Sequence, residues 1–243
     1  MKNIDSMRDV CSLTKRVLDY ITPFVVEGVT TNQLNDLCEN YTRSLGAESA
    51  PLHYLGFPKS ICTSVNHVVC HGIPNDIPLK NGDIVNIDVT LKKKYNDIYH
   101  YGDSSRMFLV GNVKRRHQYL CEITKLCLDE SIKVIGPGKK FSEIGKKIES
   151  IATQSGFSIV RNYGGHGIGT EFHTEPEILH YKNNGEDVMV EGMTFTIEPM
   201  LNEGKLDTVL LEDKWTVVTK DKKFSAQYEH TVLITKDGYE ILT

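Results

Sequence analysis

The chain has 243 residues, 40% hydrophobic and 25% charged, with a formal net charge of −4. That is ordinary for a soluble globular protein of one large domain or two small ones, and gives no electrostatic case for nucleic-acid readout or an anionic membrane. There is no apolar run of about 18 residues, the opening MKNIDSMRDV is charged, and the six cysteines form no C-x-x-C pair, so a cytoplasmic protein with reduced thiols is expected.

Met7, Val10, Leu13, Val17, Leu18 and Ile21 recur at helical spacing over 4–22, and Pro23 closes that helix. After a turn at Gly28, Thr30 or Thr31 caps a second helix, whose apolar stripe is Leu34, Leu37, Cys38 and Tyr41 and which ends near Gly46. Residues 52–69 read as a looser, strand-like stretch broken at Gly56-Phe57-Pro58. CHGIPND then leads into 81–111, two strands joined by a polar tip placed at 92–96. In the first strand Val85, Ile87, Val89 and Leu91 alternate with Asn86, Asp88 and Thr90. In the second, Phe108 and Val110 share one face, and Asp103, Ser105 and Met107 the other.

Beyond Gly111 a helix over 113–134 would turn Leu120, Ile123, Leu126, Cys127 and Ile132 inward. Gly136-Pro137-Gly138 breaks it, and Phe141, Ile144, Ile148 and Ile151 mark another helix ending at Gly156, followed by a strand, FSIVRNY. The order helix, glycine turn, helix, strand therefore occurs twice, with ITPFVVEGVTTNQLNDLCENY set against SIKVIGPGKKFSEIGKKIESI. Such a duplication predicts two α/β halves sharing one sheet, helices on one face and a site on the open face between the halves. The last third is mostly strand: MTFTIEPM, WTVVT, QYEHTVLIT and a terminal edge strand in KDGYEILT. No linker interrupts the chain, so one domain over 1–243 is expected.

Asp88 is a carboxylate in mid-strand among β-branched residues, where aspartate is disfavoured and a charge must be paired, neutralised or bound to metal. Asp103 enters the partner strand and can share its face. His166 lies between glycines in YGGHGIGT, where backbone can approach a ligand closely; the glycine pattern is not that of a dinucleotide site. Glu198 ends a strand just before Pro199, and Glu229 sits inside QYEHTVLIT. Each acid taken singly reads as readily as a solvent-facing strand residue. Together, two Asp, two Glu and one His make an oxygen-rich donor set suited to Mn, Fe(II), Co or Zn rather than a thiolate site. Four carboxylates exceed what one divalent cation needs, whereas two ions roughly 3.5–4 Å apart would balance them and activate a shared water.

Seven segments in order, Phe57-PKSICTSVN, CHGIP, NIDVT, GDSS, GHGIG with FHTEP, TIEPM and QYEHT, resemble the type I methionine aminopeptidases of the short bacterial kind, from near the N-terminus to Thr243. The resemblance implies the pita-bread fold, a pseudo-two-fold α/β (α+β) arrangement of antiparallel sheet with helices on one face. It implies two divalent metal ions per chain, drawn from Co, Mn, Fe(II) and Zn. Asp103 and Glu229 would bridge both ions, Asp88 would hold one, and His166 with Glu198 the other. A metal-activated hydroxide would attack the scissile carbonyl, with Glu198 shuttling the proton, His173 stabilising the oxyanion and His71 contacting the substrate amide. Tyr54, Phe57, Cys62, Cys70, Phe172 and Trp215 would line the methionine pocket; core packing is the default reading for Phe and Cys, but explains Trp215, in the polar segment EDKWTVVT, less well. The implied activity is removal of initiator methionine before a small second residue. The implied partners are nascent polypeptide N-termini, met at the ribosome exit region by a monomer, with neither nucleic acid nor membrane involved. Fifteen positions separate Asp88 from Asp103, more than the family's usual hairpin, with Tyr101 where His-Gly-Asp is typical, and Leu55 and Pro51 depart from its pattern at the pocket rim. Two rival readings are an Xaa-Pro aminopeptidase or prolidase, which shares fold and ligands, and a non-catalytic pita-bread binding module.

Overall fold

The computed structural model describes residues 4–243. Its helices are α1 (Ile4–Ile21), α2 (Thr31–Ser44), α3 (Arg115–Ile132) and α4 (Ser142–Gln154). The strands are β1 (Glu48–Ser49), β2 (Cys62–Val65), β3 (Val68–Cys70), β4 (Ile84–Tyr95), β5 (Ile98–Leu109), β6 (Ser158–Ile159), β7 (Gly165–Gly167) and β8 (Thr174–Ile178). They continue with β9 (Thr194–Ile197), β10 (Met200–Asn202), β11 (Thr208–Leu210), β12 (Val217–Thr219), β13 (Ser225–Gln227), β14 (His230–Ile234) and β15 (Tyr239–Ile241).

The first half packs α1 and α2 on β4 and β5. Met7, Val10 and Leu18 of α1 and Leu34 and Cys38 of α2 share one core with Val85, Ile87, Val89 and Leu91. The close approach of α1 to β5 needs Gly102, where a Cβ would stand 2.8 Å from the Cα of Cys11. α2 starts on a capping box: Thr30 Oγ1 accepts from Gln33 N–H, and Gln33 Oε1 from Thr30 N–H. The second half repeats the plan, with Leu120 and Leu128 of α3 and Ile144 and Ile148 of α4 packed on Phe195, Ile197, Val232 and Ile234.

The duplication is visible bond by bond. Gly28 N–H donates to Leu79 O and Leu79 N–H to Val29 O, both at 2.8 Å. Gly138 N–H donates to Met189 O and Met189 N–H to Lys139 O, again at 2.8 Å. Gly82 N–H reaches Val110 O at 2.8 Å, and Gly192 N–H reaches Ile234 O at 2.9 Å. These four glycines all have positive φ, which is why each turn needs glycine. Asp88 lies six residues beyond Gly82, and Glu198 six beyond Gly192, so the two carboxylates occupy equivalent places in the two halves.

Several sequence expectations are corrected. β4 and β5 run on to Tyr95 and from Ile98, so the hairpin tip is Asn96-Asp97, both at positive φ, rather than 92–96. Leu126 points outward at 41% exposure, because α3 turns its 120, 123, 127 and 128 positions to the sheet. FSIVRNY supplies only the two-residue β6, and residues 52–69 fold as a short 3₁₀ turn followed by β2 and β3. QYEHTVLIT is broken between β13 and β14, which puts Glu229 in the break rather than inside a strand. All six cysteines are free and buried, and among the described residues no helix is long and apolar enough to cross a membrane.

Candidate metal centre

The halves meet along β5 and β14. Asp103 N–H donates to Thr231 Oγ1 at 3.2 Å, Thr231 Oγ1 donates to Asp103 O at 2.8 Å, Ser104 Oγ donates to Glu229 O at 2.7 Å, and Glu229 N–H reaches Ser105 O at 3.1 Å. This seam brings together residues distant in the chain. In β4, Asp88 stands opposite Cys62 on one side and Ser105 on the other, and Thr90 opposite Asp103, so both aspartates share a face. His166 comes from β7, Glu198 from the end of β9, and Glu229 from the gap before β14.

The glycines around His166 serve the sheet rather than a ligand. A Cβ on Gly165 would lie 2.3 Å from Thr196 O, and one on Gly167 2.2 Å from Glu175 O, so β7 threads between β8 and β9 only as Gly-His-Gly. His166 Nδ1 meets Gly167 O at 3.1 Å, which makes Nδ1 the protonated nitrogen and leaves the Nε2 lone pair facing the acids. Nε2 lies 3.7 Å from both Asp103 Oδ2 and Glu198 Oε1. One ligand atom each from Asp103, His166 and Glu229 falls within 4.8 Å of the others.

Electrostatics give this group its character. Burial, then the neighbouring Asp88 and Glu198 carboxylates, raise Asp103 well above the ordinary carboxylate range. Burial, followed by Asp103, Glu198 and Asp88, does the same to Glu229. Asp88 and Glu198 are raised too, chiefly by burial. Burial pushes His166 down to about 4, so its imidazole is neutral at physiological pH. The donors fit a divalent cation. Four carboxylates crowd one neutral imidazole, and Asp88 Oδ1 is buried without a hydrogen-bond partner.

Above the acids lies a cavity of about 310 Å³. Its walls include Tyr54, Phe57, Cys62, Phe172 and Trp215, with His71 and His173 beside them. Phe57 meets Trp215 edge-on at 5.2 Å, and Phe172 stacks on His173 at 4.1 Å. Cys70 does not line this cavity; it is packed in a small apolar cluster with Val69, Val160, Met200 and Val217. Sequence reasoning missed Thr90, Thr196 and Gln227. Thr90 Oγ1 donates to Asp103 Oδ1 at 2.8 Å, Thr196 Oγ1 to Glu198 Oε1 at 2.9 Å and Gln227 Nε2 to Glu198 Oε2 at 3.1 Å. Thr196 lies two residues before Glu198, so period-2 alternation could have found it, whereas Thr90 meets an acid thirteen residues on, across the hairpin. Tyr163 and Met200 also line the cavity and carried no such signal.

Residues 5–236 match metallopeptidase family M24. The chain is 53% identical over 244 residues to the methionine aminopeptidase of Rickettsia prowazekii, covering all of this chain and 93% of that one. The crystal structure of methionine aminopeptidase from the same organism superposes with a TM-score of 0.95, at 53% identity, over 100% of this chain and 97% of that one. A prolidase structure from Pyrococcus horikoshii, at 22% identity and TM-score 0.77, covers 100% of this chain but 62% of its own and shares the fold alone. On its seam-built cluster of buried acids and these full-length likenesses, the chain belongs to metallopeptidase family M24, within its methionine aminopeptidases.

Proposed function

We propose that this chain hydrolytically removes N-terminal methionine from nascent polypeptides whose second residue is small, in the cytoplasm, with residues 1–243 acting as one catalytic domain. The observation that carries the reading is one cavity lined both by the acid cluster with His166 and by aromatic side chains. Methionine is unbranched and polarisable, and Tyr54, Phe57, Phe172 and Trp215 offer the sulfur–aromatic contacts it favours.

Asp88, Asp103, His166, Glu198 and Glu229 would hold two divalent ions, which supply Lewis acidity and lower the pKa of water when bound. Asp103 and Glu229 would hold them from the seam of the two halves. Glu198, gripped on both oxygens by Thr196 and Gln227, is fixed to take a proton from the attacking water and pass it to the leaving amine. Burial pushes His173 down to about 3 and lowers His71, so both are neutral rings. His173 Nδ1 is 3.1 Å from Tyr54 Oη; with that hydroxyl donating to Nδ1, Nε2–H is the donor for the developing oxyanion. His71, held edge-on to Tyr163 at 5.7 Å and 6.2 Å from Trp215, is placed to contact the substrate amide.

Amino-acid release from Met-Ala-Ser, Met-Lys-Ser and Ala-Pro-Ser peptides tests the reading. Free methionine from the first alone is expected. Faster cleavage of Ala-Pro-Ser would move the chain to the Xaa-Pro enzymes, and no cleavage of any peptide would favour a binding module.

A further inference from the structure

Asp88 and Glu198 occupy equivalent places, yet their backbones are held differently. Asp88 lies within an unbroken twelve-residue strand with a ladder partner on each side. β9 stops at Ile197, and Pro199 lacks an N–H with which to continue it. The N–H of Glu198 instead donates to Nε2 of His180 at 3.2 Å, from the segment just after β8.

His180 is 1% exposed. As an acceptor at Nε2 its neutral ring carries its proton on Nδ1, and Nδ1 is buried without a hydrogen-bond partner. A leucine or phenylalanine would fill that space without burying an unpaired donor, so packing alone does not account for a histidine here. What the ring contributes is one acceptor, aimed at the backbone of a residue whose carboxylate must lie beside His166 and Asp103.

We infer that His180 is a positioning residue for Glu198: its imidazole replaces the missing ladder partner and fixes the point from which the Glu198 carboxylate reaches the metal centre. Thr196 and Gln227 set the rotation of the carboxylate, and His180 sets where its side chain begins. The inference deepens the reading of the site proposed above and rests on it.

The test compares His180→Leu, His180→Phe and His180→Gln with the parent full-length chain. Isothermal titration with Mn(II) and with Co(II) measures affinity, thermal melting of the apoprotein reports folding, and Met-Ala-Ser hydrolysis separates kcat from KM. The leucine and phenylalanine variants are expected to bind metal about tenfold to a hundredfold more weakly and to lose kcat with KM little changed, as outer partners of metal ligands do. The glutamine variant, whose Oε1 can accept the Glu198 N–H, is expected to recover most of both. Parent-like affinity and kcat in the leucine and phenylalanine variants would overturn the inference. So would a glutamine variant that fails as they do, or apoprotein melting lost in all three. A parent chain that binds Mn(II) but releases no methionine would instead sink the proposed function, and the titrations would still decide the role of His180.

Discussion

Asp88 and Glu198 are the same position built twice, and the two halves secure it by different means. In the first half the backbone carries the load. β4 is paired on both sides at Asp88, and Oδ1 of that aspartate has no protein partner. In the second half the strand has ended, and side chains take over: Thr196 and Gln227 on the carboxylate, His180 on the backbone N–H. A ladder fixes a Cα but leaves the carboxylate free to turn toward a cation. Side-chain hydrogen bonds fix the carboxylate itself, which suits a residue that must also handle a proton at a defined atom. The duplicated scaffold thus carries a binding acid on one arm and a working acid on the other.

This contrast is sharpened first at Glu198. Glu198→Gln keeps the shape of the side chain and removes its basicity, so kcat for Met-Ala-Ser is expected to fall by roughly 10²–10⁴-fold; retention of near-parent kcat would assign proton transfer elsewhere. His173→Ala is expected to lower kcat by roughly 10²–10³-fold through loss of an oxyanion donor, with KM much less affected. An unchanged kcat would contradict that role. Thr196→Val and Gln227→Leu are each expected to weaken Mn(II) binding and kcat by about 10–100-fold. Ser105→Ala, across the ladder from Asp88, should leave both near the parent values, since its backbone pairing survives. Equal losses on both arms would break the comparison.

A pH experiment probes the acid cluster as a whole. Asp103 and Glu229 are held above the usual carboxylate range by burial and by neighbouring carboxylates. The metal-free folded chain therefore binds more protons than the unfolded chain once the pH exceeds the ordinary value of about 4. Stability from these groups is full below that value and is lost as the pH rises through the raised pKa values. Asp88, raised to about 7, and Glu198, raised to about 8, titrate in the same sense, so apoprotein Tm should fall as the pH rises through that range, while saturating Mn(II) flattens the profile. A flat apoprotein profile would contradict it. The smallest effect lies far from the site: Thr30→Ala, which removes the helix cap, should cost about 1 kcal/mol in denaturant unfolding without altering kcat.

Much of this was legible in the sequence because it rests on local periodicity. The alternation of Val85, Ile87, Val89 and Leu91 set the buried face of β4 and so the face of Asp88, and the repeat around Gly28 and Gly138 announced the two halves. Convergence was not local. Nothing near His180 says that its ring meets an N–H eighteen residues on, and the break that frees Glu229 from its strand depends on β5 crossing β14. The glycines around His166 were noticed for a reason the structure replaces: they make room for neighbouring strands. Leu126 followed the helical stripe on paper but lies at its edge, where a small error in phase exposes a side chain.

Chelation and add-back decide whether the cluster at the seam performs metal-dependent methionine release. The protein is stripped of metal, offered Mn, Co, Fe(II) or Zn singly, and assayed for free methionine from Met-Ala-Ser. No release is expected from the stripped protein, release restored by at least one of these ions, and none from a Glu198→Ala variant under the same ion. Release that persists undiminished after complete chelation, or that survives in Glu198→Ala, would contradict it.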